Sequence, residues 1–102
     1  MIICLIEFGV QPGMEQRNIE TVTQLMKEVA KIDGFMGKET YTGRNDPGKI
    51  MTVSYWRDAD ALRAWMRNKE HLDGMKLGKA EIYSNYTIRI AELQRERTWT
   101  RP

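Results

Sequence analysis

Cysteine and histidine are nearly missing from this sequence: Cys4 and His71 are the only ones in 102 residues. A single cysteine excludes an internal disulfide and any multi-cysteine metal site, so no metal centre is expected. Cys4 sits in the apolar run 1–6, which marks it as a buried core thiol rather than a reactive one. Long apolar stretches are missing too. The opening run is far shorter than a membrane span, has no basic region before it and is stopped by Glu7. It reads as neither a membrane segment nor a signal peptide, and a cytoplasmic location is expected. Nor is there an excess of one charge, since a net charge of +2 falls well short of a nucleic-acid-binding footprint. No repeat or low-complexity segment occurs.

What remains fits one soluble globular domain, with 41% apolar and 29% charged residues. Residues 2–10 form an apolar, β-branched run ended by Gln11-Pro12-Gly13, and read as a strand. Ile19, Val22, Leu25, Met26, Val29 and Ile32 then recur at helical spacing until Asp33-Gly34 stops them. Residues 35–41 and 49–56 read as two strands of a hairpin closed by the turn-rich cluster 42–48. Asp58 caps a second helix, with Ala61, Leu62, Trp65 and Met66 on one side. Residues 82–93 alternate as a long last strand.

The order strand, helix, strand, strand, helix, strand is the split βαβ arrangement: an α+β, ferredoxin-like fold whose four-stranded antiparallel sheet carries both helices on one face. The other face is left bare. Burying it against the same face of a second copy predicts a homodimer. The domain is expected to span residues 1–94, with a polar tail, 95–102, whose one large apolar group is Trp99.

Two residues raise a question of chemistry. His71 follows Trp65 by six positions, and on one straight helix that step turns through about 600°, leaving the side chains roughly 120° apart. They converge only if the helix breaks, with Asn68 a candidate terminus and Gly74 a weak point. Otherwise His71 faces solvent and Trp65 is simply core. Glu7 is the odd carboxylate of an apolar strand. Such a group is either desolvated into a general base or paired with a nearby Arg or Lys. Strand alternation places Tyr83 and Tyr86 on opposite faces.

The ordered series Ile6-Glu7-Phe8, Pro12-Gly13, Ile32-Asp33-Gly34-Phe35, Asp46-Pro47-Gly48-Lys49, Tyr55-Trp56-Arg57-Asp58, Ala61-Leu62-Arg63-Ala64-Trp65, Glu70-His71, Gly78-Lys79 and Tyr83-Ser84-Asn85-Tyr86 resembles the antibiotic biosynthesis monooxygenase family. The resemblance implies a dimeric α/β barrel of ferredoxin-like subunits. It implies small-molecule oxidation without metal or flavin in some members, and haem breakdown in others. Members often carry proline before the Glu-His pair, where this chain has Lys69.

A cofactor-free oxygenase takes a proton from an acidic aromatic substrate, so that the anion can give an electron to dioxygen. For that chemistry the resemblance offers Glu7 or His71 as base, Trp65 and Trp56 as apolar walls, and Asn85, Tyr83 or Tyr86 to hold the substrate's oxygen. Haem is disfavoured as a cofactor. Haem-degrading relatives pair an Asn on strand one with a helix-two Trp and a His about ten residues on, and here Trp65 has Glu7 and Met75 for company. A non-catalytic small-ligand module stays open as an alternative, since this fold hosts many functions. Segment 48–55 lacks the aromatic motif of the RNA-binding version.

Overall fold

The computed structural model describes all residues, 1–102. Its elements are β1 (Ile2–Val10), α1 (Glu15–Val29), β2 (Phe35–Thr42), β3 (Ile50–Trp56), α2 (Ala59–Met66), α3 (Lys69–Leu77), a π-helical turn (Gly78–Ile82) and β4 (Tyr83–Glu92). The sheet runs in the order β2-β3-β1-β4 with every neighbouring pair antiparallel. This is the split βαβ sheet, with β3 inserted between the parallel β1 and β2. The helix predicted to reach Ile32 ends at Val29, and a turn carries the chain to Gly34 at φ +94°. A side chain there would be strained and would press on Ala61, since a Cβ would lie 2.6 Å from that methyl group.

Alternation along the strands sorts the sheet into two faces. Cys4, Ile6 and Phe8 on β1, with Ser54 and Trp56 on β3, point to the helices. Ile3, Leu5 and Glu7, with Met51, Val53 and Tyr55, point away. The core lies towards one end of the helical side, where Cys4, Val29, Trp56, Ala61, Leu62 and Trp65 pack together. Trp56 is only 1% exposed, and its indole N–H donates to Ser54 Oγ at 2.9 Å, so the buried ring leaves no orphaned donor. The exposed Arg57 pairs with Asp33 and Asp58, tying the α1–β2 turn to the start of α2.

The second helical segment is two helices. Asp58 caps α2 by accepting from the Ala61 N–H at 2.9 Å. Asn68, extended at φ −62° and ψ 132°, caps α3 by accepting from the His71 N–H at 3.1 Å. Asparagine is among the best N-caps, a role that contributes typically ~1 kcal/mol. The break that a proline would impose is therefore supplied one residue earlier, by a side chain that satisfies a free N–H of the new helix.

β4 corrects the sequence reading of Tyr83 and Tyr86. Val10 pairs with Tyr83 but Gly9 pairs with Asn85, so Ser84 is an extra residue in the strand, a β-bulge. The bulge breaks the alternation, and the two rings lie 6.1 Å apart, edge to face, rather than on opposite faces. Tyr83 also packs on Phe8 at 5.1 Å. Residues beyond Glu92 carry no regular structure, and Trp99 stands exposed with Arg101 over its ring.

Candidate functional site

The break at Asn68 turns α3 so that His71 comes back against Trp65. Their ring centroids are 4.6 Å apart and the planes are inclined by 37°. The indole belongs to the core cluster, and the imidazole closes over it. His71 Nδ1 is buried and has no hydrogen-bond partner. Burial pushes the His71 pKa below its ordinary value, and the nearby positive charge of Lys38 pushes it further down. The imidazole is therefore held neutral at physiological pH, with a free ring nitrogen turned inward.

Lys38 is the residue that sequence reasoning missed. Its register opposite Ser54, which is opposite Cys4, puts it on the helical face of β2. It is only partly exposed, takes part in none of the ion pairs, and burial alone pulls its pKa down. Thr40 and Thr42, the next inward residues of β2, line a cleft of about 290 Å³ beneath α1 together with Asn18, Ile19, Val22 and Phe8. Asn18 Oδ1 in that cleft is a second buried polar atom without a partner. Neither Lys38 nor His71 lines that cleft; Lys38 is the preceding inward residue of β2. The sequence held a signal for Lys38, since it alternates with Thr40 and Thr42 along β2.

The sequence-predicted residues divide between places. Trp65 and His71 meet. Tyr83 and Tyr86 lie with Phe8 towards the other end of the helical layer, and burial raises the Tyr83 pKa. Trp56 is wholly inside the core, where it packs on Phe35 at 5.2 Å, so it walls no open space. Glu7 lies on the opposite face of the sheet from His71. There Arg89 sits 3.2 Å and Lys49 3.6 Å from its carboxylate, the ion-paired state rather than the desolvated one. Asn85 shares a separate recess with Glu7, Asp46 and Lys49 at the hairpin end. No three His, Cys, Asp or Glu side chains gather as metal ligands. The residues do not fit a haem: His71 is stacked on Trp65 and Glu7 is behind the sheet.

Fold and recess together define a ferredoxin-like α+β domain with a small-molecule-sized space between its layers. The chain belongs to the antibiotic biosynthesis monooxygenase family, whose model matches residues 1–77. That membership supports a function of the general monooxygenase type. YqjZ of Bacillus subtilis is 33% identical over 78 residues, 76% of this chain and 67% of that one. The jasmonate monooxygenase ABM of Pyricularia oryzae is 27% identical over 93 residues, which cover 91% of this chain and 43% of that longer protein. The fold is similar to that of SnoaB, a cofactor-independent oxygenase from Streptomyces nogalater, with TM-score 0.80 at 14% identity over 93% of this chain and 94% of that one. It is also similar to Rv0793 from Mycobacterium tuberculosis, with TM-score 0.82 at 11% identity over 95% and 98%. No helix is long and apolar enough to cross a membrane.

Proposed function

We propose that this protein is a cofactor-independent monooxygenase that oxidises an acidic phenol, quinol or anthrone-like aromatic substrate in the recess between helices and sheet, with His71 as general base. One observation carries the reading: a buried, neutral imidazole with an unpartnered Nδ1, held in place by the Trp65 ring. A base needs to be unprotonated before it acts and within reach of the proton it takes. The pKa-lowering surroundings of His71 meet the first need, and its unpartnered Nδ1 leaves a ring nitrogen free to accept the proton. Trp65 keeps the imidazole in one orientation and offers an apolar wall.

His71 takes the substrate's acidic proton, and the resulting carbanion or phenolate gives an electron to dioxygen. In the anthrone-like case a CH₂ group loses two hydrogens and gains one oxygen atom. The second oxygen atom leaves as water, and the substrate supplies all four electrons, so no external reductant is needed. The low polarity around Trp65 and the core beneath it protects the reactive anion from bulk water. The same reading takes the protein as a homodimer in which the sheet face bearing Leu5, Val53 and Tyr55 is covered by a second copy.

The test is dioxygen uptake by the purified protein over a panel of anthrones, quinols and acidic phenols with no added metal or flavin. Turnover of at least one substrate, lost in His71→Ala, is expected. Absence of uptake across the panel would replace this reading with a non-catalytic ligand-binding module.

A further inference from the structure

Asn18 is a polar residue at an apolar position of α1. It lies one turn before Val22, on the stripe that continues through Leu25, Met26 and Val29 and packs the helix on the sheet. Asparagine is also among the weaker helix formers, and here it stands inside the helix rather than at its cap. Nothing in the folded chain compensates for either cost: the side-chain oxygen Oδ1 is buried and accepts no hydrogen bond.

Asn18 lines the cleft of about 290 Å³ beneath α1. Phe8 and Ile50, opposite one another in the ladder, give that cleft an apolar floor, and Val22 adds to its roof. The hydroxyls of Thr40 and Thr52 lie 3.3 Å apart and bond to one another, and Thr23 Oγ1 donates to the Ile19 carbonyl at 2.7 Å. Asn18 Oδ1 is thus the buried polar atom of the cleft that still lacks a partner. No charged residue lines the space. An ion entering it would lose hydration without meeting a counter-charge, whereas an apolar body with one hydrogen-bond donor would match both the walls and the acceptor.

We infer that the cleft beneath α1 is a binding site for an uncharged, mainly apolar small molecule whose O–H or N–H donates to Asn18 Oδ1. The two ends of a side-chain amide are nearly equal in size and its last torsion is soft, so a half-turn of the amide presents the oxygen to the ligand. Neither His71 nor Trp65 lines the cleft, so the site goes beyond the proposed function and stands whether or not the protein consumes dioxygen.

The test is NMR titration of isotope-labelled protein with indole, N-methylindole and indole-3-carboxylate. The first carries a donor and no charge, the second lacks the donor, and the third adds a negative charge. Indole is expected to shift the Asn18 side-chain NH₂ pair and the backbone amides of Thr40 and Thr52, while the His71 ring signals stay in place. N-methylindole should bind about tenfold more weakly, for want of one hydrogen bond to a buried acceptor, and indole-3-carboxylate should not compete. In Asn18→Leu and Asn18→Ala, both suited to a helix interior, indole and N-methylindole should bind alike. Indole that leaves Asn18 unmoved, the result if water alone occupies the cleft, overturns the assignment. So do shifts centred on His71, carboxylate binding as tight as that of indole, equal binding of indole and N-methylindole to wild type, or a preference for indole that survives in either folded variant. An oxygenase that ignores indole fails this assignment alone, and an indole binder that takes up no dioxygen fails the oxygenase reading alone.

Discussion

The imidazole of His71 stacks 4.6 Å from the indole of Trp65, although an unbroken helix would hold the two side chains roughly 120° apart. The contact exists because Asn68 ends one helix and caps the next. Removing that cap is therefore expected to act on the site as well as on stability. Asn68→Ala should cost ~1 kcal/mol in urea unfolding, while Asn68→Asp, which keeps a capping oxygen, stays near wild type. The Ala variant should also return the His71 pKa towards 6.5, as its burial over Trp65 loosens. Wild-type titration of His71 in Asn68→Ala would show that the contact does not depend on the cap.

His71 gives the fold a defined pH dependence. Its folded pKa is lower than its unfolded value of about 6.5, so below that value the unfolded chain binds more protons than the folded one. The stability is whole above pH 6.5 and is lost as the pH falls through the folded pKa. As the only histidine, it gives one C–H resonance set to follow by NMR. Lys38→Met should raise the measured pKa, because the neighbouring positive charge is gone, and soften the loss of stability in mild acid. A pKa unchanged by Lys38→Met would show that desolvation alone sets it.

Glu7 and His71 make opposite predictions. His71→Ala should lower turnover by the ~10²–10⁴-fold that a positioned base supplies. Glu7→Gln should leave turnover near wild type, because its carboxylate lies behind the sheet in ion pairs with Arg89 and Lys49. Those pairs are partly exposed, so the Gln variant should lose at most ~1 kcal/mol of stability. A Glu7→Gln protein that folds but no longer turns over would move the base to the other face.

Haem is expected to show no stoichiometric complex, because the only imidazole is stacked on Trp65 and its Nδ1 is buried. Titration of haem into the protein, followed at the Soret band, checks this. A tight shift abolished by His71→Ala would reverse the expectation.

The sheet face away from the helices, with half-buried Ile3, Leu5, Met51 and Tyr55, should be covered by a second copy. Light scattering behind size-exclusion chromatography should give a dimer at micromolar concentration, and Leu5→Lys should weaken it by placing a charge in the interface. A wild-type monomer would end the proposal.

Most of the fold is legible in the chain, because it rests on local patterns: alternation in β1, β3 and β4, helical spacing from Ile19 to Val29, the hairpin turn, and the Asp58 cap. Less of the site can be read there. Asn68 was visible as a possible terminus, yet whether it ends a helix depends on what the next helix gains by burying His71 over Trp65. Tyr83 and Tyr86 were assigned to opposite faces because alternation assumes an unbroken ladder, and the bulge at Ser84 appears only when β4 pairs with β1.

By itself, then, the sequence determined the order of the strands, the split βαβ topology and the family, since hydrophobic period and turn residues act over a few neighbours. Only the tertiary structure decided which charged and aromatic groups meet. Glu7 and Lys38 are both charged residues on strands, and the chain alone gives no means to tell the ion-paired one from the unpaired one. Packing α1 and α3 over one face of the sheet made that distinction: it left Glu7 with two cations on the far face and the half-buried Lys38 on the helical face in none of the ion pairs. Burial and charge pairing are properties of surfaces brought together from distant positions, and they exist only once those surfaces are in contact.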